Sequence, residues 1–174
     1  MKILTDSGVT LSIRRIKPSD EKAFLKLARR DQEQHQPWIK VPRTKKAFQK
    51  YAETMSTDDD RGYLIIRRDT KALVGVIELR DIFLGDFKNA YACYYAFSTQ
   101  SGNGFIKAAM LTVIDIAFSK LKLHRLEANI QPQNIASIQL IRACGFTQEG
   151  YSPKFLRMNG VWCDHQRWAL IKPD

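Results

Sequence analysis

The chain has 174 residues, 44% of them hydrophobic and 26% charged, with a formal charge of +10. This suits a single globular domain spanning 1–174 and excludes low-complexity and collagen-like chains, and no run approaches the roughly 18 apolar residues of a membrane span or the apolar core of a signal peptide, so a cytoplasmic protein with no membrane contact is expected. Cys93, Cys144 and Cys163 are odd in number and widely spaced, which gives neither a disulfide framework nor a metal knuckle, and the charge, shared evenly by the two halves, draws anions without specifying a fold. Val9–Ile16 alternates as a half-buried strand, and Pro18-Ser19-Asp20-Glu21 starts a helix to about Arg30, with Ser19 as its expected cap. An aromatic loop, Gln36–Pro42, precedes a second helix over Lys45–Met55; the basic stretch Arg43–Lys50 reads as an anion-contacting patch or, preferably, as a solvated helix face. Strands then follow at Tyr63–Arg68, Leu73–Ile82 and Ala90–Phe97, joined by short connections as an antiparallel meander.

Ser101-Gly-Asn-Gly104 changes the pattern, because Phe105–Leu121 runs on at helical spacing without Gly or Pro. A strand at His124–Gln131, a short helix from Asn134 to about Ala143 ended by Cys144-Gly145, and two strands around Phe146–Met158 and Val161–Ile171 complete the chain, the last two joined at Asn159-Gly160, a strong hairpin signal. The order is βααβββαβαββ. A meander followed by β-α-β-α-β implies an α/β fold of the mixed α+β kind, a mostly antiparallel sheet of six to seven strands flanked by about four helices.

Two features point to chemistry. The turn Gly102-Asn103-Gly104 ahead of Phe105 and Ile106 would offer unpaired N–H groups and partial positive charge to a phosphate, although such a turn is often only a tight bend. Asn134-Ile-Ala-Ser137 is either an ordinary helix cap or an amide and a hydroxyl set at the edge of a cleft. His124 and His165 lack metal-spaced partners and are read as structural, and no metal is expected.

Ala90–Phe97, Ser101–Phe105, Leu123-His-Arg-Leu-Glu-Ala128, Pro132-Gln-Asn-Ile-Ala-Ser137 and Cys144-Gly-Phe146 together resemble the GNAT superfamily of acetyl-CoA-dependent N-acetyltransferases. More narrowly they resemble the branch containing the ribosomal-protein N-terminal (alanine) acetyltransferases, and the likeness extends over nearly the whole chain. The superfamily's loop usually opens with Arg or Gln and closes with a small residue; here Ser101 and Ile106 stand in those places.

The resemblance implies an acyltransferase with acetyl-CoA as co-substrate. It implies coenzyme contacts at Phe97, Ser98, Thr99, Gly102, Asn103, Gly104, Phe105, Ile106, Asn134 and Ser137, with Ser137 as the acid that protonates the departing sulfur. An amine attacking a thioester also needs a group to take its proton. Glu78 is the favoured candidate, on the expectation that apolar neighbours surround it; the alternatives are an ion pair of Glu78 with Arg80, Asp81, or a water relayed by Tyr94 or Tyr95. Trp38, Tyr94 and Tyr95 are the expected substrate pocket, with a core position the other reading of Trp38. The expected acceptor is a protein N-terminal α-amine, with a polyamine or amino sugar as the alternative. A non-catalytic module binding acetyl-CoA or nucleic acid is the reading from another class. Either a monomer or a homodimer is compatible with these features.

Overall fold

The computed structural model describes residues 1–173. Eight strands form one sheet: β1 (Lys2–Leu4), β2 (Thr10–Arg15), β3 (Arg61–Arg67), β4 (Leu73–Phe83), β5 (Asn89–Ala96), β6 (Arg125–Ile130), β7 (Thr147–Met158) and β8 (Val161–Ile171). Their order is β1-β2-β3-β4-β5-β6-β8-β7. Every neighbouring pair is antiparallel except β5 and β6. Helices α1 (Glu21–Arg30), α2 (Gln32–His35) and α3 (Lys45–Thr54) connect β2 to β3, α4 (Phe105–Asp115) connects β5 to β6, and α5 (Ile135–Ala143) connects β6 to β7. No helix among the described residues is long and apolar enough to cross a membrane.

This is the expected element order with two additions, β1 and α2, each too short to leave a periodic signal. The start of α1 also differs: Asp20, not Ser19, closes it, its carboxylate accepting from the Lys17 N–H at 2.8 Å and from the Arg14 guanidinium. The long helix keeps α geometry to Asp115 and then widens into a π turn over Ile116–Lys120, closed by the Leu121 N–H on the Ile116 carbonyl. The β7–β8 hairpin turns at Asn159 and Gly160 as expected, both with positive φ, the twist that suits a two-residue connection.

Two apolar clusters sandwich the sheet. One joins Ile65, Val74, Ile77 and Leu126 to Phe105, Met110 and Val113 of α4 and Ile141 of α5; the other joins Leu64, Val76, Tyr95 and Phe97 to Phe24 of α1 and Phe48 and Ala52 of α3. Because helices cover both faces, β4 is buried without interruption from Leu73 to Leu79, and the only charge in that run is Glu78.

Gly75 in β4 is required by space. A Cβ there would lie 2.3 Å from the Tyr95 carbonyl oxygen and 2.7 Å from Ile106 Cδ1. Ile106, the bulky departure in the glycine loop, thus fits because the strand beneath it has no side chain at that point. Gly75→Ala should destabilise the protein by about 1–3 kcal/mol, a drop of several degrees in Tm checked by thermal unfolding, and Ile106→Ala in the same background should not restore it, because the contact with the Tyr95 main chain remains.

Candidate active site

β5 and β6 part company after three paired positions, Asn89↔Arg125, Ala90↔Leu126 and Tyr91↔Glu127. Both strands continue beyond that point, to Ala96 and Ile130. The Phe97 N–H donates to the Val74 carbonyl at 2.8 Å, and the β4/β5 register runs unbroken from Gly75↔Ala96 to Arg80↔Tyr91. Odd-numbered residues of β5 therefore spend their main-chain groups on β4, while Tyr94 and Ala96 turn theirs toward the space that β6 has left. A cleft of about 780 Å³ threads this opening, from the glycine loop and the starts of α4 and α5 at one end to Trp38, Glu78 and His165 at the other.

At the first end, Gly102 (φ 78°) and Gly104 (φ 71°) hold left-handed conformations, and no atom lies within 4 Å of where a Cβ would stand on either. The first bond inside α4 runs from the Ala108 N–H to the Gly104 carbonyl, so the N–H groups of the preceding turn point out of the helix end. That turn holds no acid and one cation, Lys107, which also lines the cleft. A cation at a helix start opposes the helix dipole unless an anion is bound there. The geometry suits a phosphate held by main-chain donors, and Phe105 and Ile106, whose side chains are buried, can contribute only through their backbones.

α5 presents its start to the same cleft. The Asn134 side chain accepts from the Ser137 N–H at 3.2 Å, and the Tyr94 hydroxyl donates to the Ser137 carbonyl at 2.9 Å. Ser137 is thereby fixed at both main-chain groups, and its own hydroxyl has no partner among the described residues and is free to act on whatever enters. Tyr94 reaches the cleft as expected, but its hydroxyl is already committed to Ser137, and burial pushes that phenol well above its ordinary range.

The contacts expected at Phe97, Ser98 and Thr99 need correction. None of the three lines the cleft. The Phe97 N–H is spent on Val74 and the Ser98 N–H on the Asp31 carboxylate at 2.8 Å. The main chain facing the opening belongs to Tyr94 and Ala96, one step earlier on the strand.

At the other end, Glu78 is 1% exposed but does not sit among apolar groups. One of its oxygens accepts from the Tyr51 hydroxyl and the other from Arg80 Nε, each at 2.5 Å. Tyr51 also lies 3.3 Å from the Tyr95 hydroxyl. Burial and the Glu78 charge push both phenols well above their ordinary range; burial opposes the charge on Arg80, but Glu78 outweighs it and raises the guanidinium. Cys93, opposite Glu78 on β5, has its thiol pushed up to about 12 by desolvation and by the same carboxylate, which makes it unreactive. Asp81 is turned to solvent at an irregularity in β4, away from the cleft. Trp38 is half-buried on the cleft wall.

Several wall residues carried no sequence signal. His35 Nε2 donates to the Ala96 carbonyl at 2.8 Å, joined there by Gln34 at 3.3 Å. Gln131 donates to the Pro37 carbonyl and Asn159 to the Gln36 carbonyl, which ties the end of β6 and the last hairpin to the aromatic loop. His165, expected to be structural, lies on the wall, 3% exposed, with Nδ1 donating to the Cys163 carbonyl. Burial lowers the pKa of this imidazole. Among the described residues, no group of His, Cys, Asp and Glu could hold a metal ion.

Residues 10–147 match the acetyltransferase (GNAT) domain family. The chain is 34% identical over 130 residues to the probable N-acetyltransferase YjcK of Bacillus subtilis, covering 75% of this chain and 72% of that one. It is 32% identical over 106 residues to the ribosomal protein uS5-alanine N-acetyltransferase of Escherichia coli, covering 61% of this chain and 55% of that one. Spermidine N(1)-acetyltransferase of Vibrio cholerae is also similar, at 24% identity over 115 residues, 66% of each chain. Among solved structures, Mycobacterium smegmatis RimJ in complex with CoA-disulfide superposes with a TM-score of 0.86 at 22% identity, over 93% of this chain and 82% of that one.

The Asp31 carboxylate anchors the end of β5 by accepting from the Ser98 N–H, the Ser98 hydroxyl and Arg30. Burial opposes its charge, but those donors outweigh burial and hold it down at about 2. A depressed carboxylate contributes stability that is present above its unfolded value and is lost as pH falls through the folded one. Urea unfolding should show about 2 kcal/mol disappearing between about pH 4 and pH 2, and Asp31→Asn should lose that amount at neutral pH and flatten this part of the acid limb.

Proposed function

The chain belongs to the GNAT acetyltransferase family and is an acyltransferase, and from that premise we propose that it acetylates a protein N-terminal α-amine, with acetyl-CoA as donor. The observation that carries this reading is the through-cleft: a phosphate-ready helix start at one end, an anion at the other, and β5 main chain exposed between them. The nature of the acceptor is supported by the likeness to ribosomal-protein alanine acetyltransferases. The whole chain acts as one catalytic domain, and a ribosomal acceptor puts the reaction in the cytoplasm.

Bound acetyl-CoA would supply the thioester carbonyl carbon that the amine attacks. In this proposal the N–H groups at Gly102, Asn103, Gly104, Phe105 and Ile106, with Lys107 beside them, bind its phosphates. Asn134 and the main chain of Tyr94 and Ala96 align the arm, and a main-chain N–H at the opening polarises the carbonyl oxygen. Ser137, fixed by Asn134 and Tyr94, gives its hydroxyl proton to the sulfur as it leaves.

Glu78 draws the ammonium form of the acceptor and takes its proton. Tyr51 and Arg80 hold the carboxylate in one orientation and compete with the ammonium for its lone pairs. Trp38 and Tyr95 shape the pocket around the acceptor.

Three outcomes follow. Acetyl-CoA at about 100 times its Kd should stabilise the protein by about 2.7 kcal/mol in thermal unfolding, and ATP at the same concentration should not. Ser137→Ala should keep that stabilisation and lose at least about tenfold in kcat, read by free-thiol release; an unchanged rate would remove Ser137 from the mechanism. Glu78→Gln should lower kcat/KM at neutral pH by at least about tenfold and recover as pH rises, because a larger fraction of the amine is then already neutral. The same loss at every pH would assign Glu78 to packing.

A further inference from the structure

A second cavity, of about 660 Å³, opens beside the acceptor end of the cleft, between α3 and the segment leading into it. Lys40 and Arg80 line both spaces and form the step between them. Beyond that step the groove is lined by Arg43 and Lys50 together with apolar and hydroxyl side chains, and none of its lining residues is an Asp or a Glu. Lys40, Arg43 and Lys50 make no ion pair among the described residues, and all three are exposed. Arg80 spends only its Nε on Glu78. The acceptor end is thus one carboxylate paired with Arg80 at the cleft wall, followed by three exposed cations, Lys40, Arg43 and Lys50, that have no ion-pair partner among the described residues.

A primary amine reaching Glu78 must bring the rest of its molecule past these cations. A polyamine would set its second ammonium beside Arg80 and Lys40, and like charges so placed oppose binding. An extended peptide advances about 3.3 Å per residue, so the side chains just behind its N-terminal amine would fall along the groove. We propose that the groove lined by Lys40, Arg43, Lys50 and Arg80 is a subsite for acidic side chains in the first few residues of the acceptor, so that this enzyme selects protein N-termini followed by Asp or Glu. The inference rests on the N-terminal acceptor proposed above and adds the class of sequence that the enzyme reads. It assigns the basic stretch around Arg43–Lys50 to contact with an anion and not only to solvation.

The test uses three peptides of equal length, labelled at the C-terminus, in which an N-terminal Ala is followed by Glu-Asp-Glu, Ser-Gly-Ser or Lys-Arg-Lys. Binding is read by fluorescence anisotropy on the whole chain and acetylation by thiol release, with spermidine as a fourth acceptor. The acidic peptide should bind about tenfold more tightly than the neutral one, as expected for two or three exposed charge pairs, and the basic peptide and spermidine more weakly than either. The preference should shrink as salt rises from about 50 to about 500 mM. The triple variant Lys40→Glu, Arg43→Glu, Lys50→Glu should reverse the order while keeping the stabilisation by acetyl-CoA, which reports that the fold and the coenzyme end are intact.

Equal binding of the three peptides, a preference that survives the charge reversal, or faster acetylation of spermidine would overturn the inference. So would a single-stranded RNA oligomer that displaces the acidic peptide at lower concentration, since the groove would then serve nucleic acid. If the acidic peptide binds in the expected order and releases no thiol, the groove stands and the N-terminal acetyltransferase reading fails. If all three peptides are acetylated at one rate, the enzyme reading stands and the groove fails.

Discussion

The structure turns on one constraint, the loss of pairing between two parallel strands. Parallel neighbours ordinarily satisfy each other's main-chain groups along their shared length. Here β5 and β6 do so for three positions and then diverge, leaving polar backbone at the middle of a sheet with no strand to receive it. Such groups are costly to bury unmet. The chain meets part of the cost itself, with His35 and Gln34 on the Ala96 carbonyl, and the remaining groups face the cleft. The other parts of the site follow from where the strands separate: α4 leaves the end of β5 and α5 leaves the end of β6, so both helix starts necessarily open onto the gap.

The two ends of the cleft solve opposite electrostatic problems. In the proposed reaction one end attracts a highly charged anion with few side chains, through glycine backbone, a helix start and one lysine. In the same proposed reaction the other end receives a cation where burial penalises charge, and the carboxylate there already has a guanidinium and a phenol as partners. A lone buried carboxylate would change protonation state rather than remain charged. Arg80 and Tyr51 therefore count together with Glu78, because they supply the donors that its two buried oxygens require.

The parts of this architecture that were legible in the sequence are those with local causes. The meander, the hairpin at Asn159-Gly160, the glycine turn ahead of α4 and the Asn134 cap of α5 each depend on residues within one turn or two of one another. The end of the cleft at the glycine loop is built almost wholly from such segments, which is why its lining could be expected from the sequence; the shift from Phe97–Thr99 to Tyr94 and Ala96 depended on which edge of β5 faces β4, which alternation alone does not fix. The acceptor end is made of contacts between distant segments. Tyr51 meets Glu78 from another face-covering helix, His35 meets Ala96 across 61 positions, Gln131 meets Pro37 across 94 and Asn159 meets Gln36 across 123. Periodicity assigned Glu78 to a covered strand, but it carries no information about which side chain will lie over that strand.

The close approach of Gly75 and Ile106 has an evolutionary consequence. The two residues are 31 positions apart in sequence and share one small volume, and the Tyr95 carbonyl oxygen, 2.3 Å from where a Gly75 Cβ would stand, fixes the glycine whatever residue stands at 106. A chain that arrives at isoleucine in this loop before it has glycine in β4 is crowded at both contacts. Grafting this loop onto a related scaffold therefore means moving a strand residue with it. The strand glycine is thus a precondition for the bulky loop residue and not its consequence.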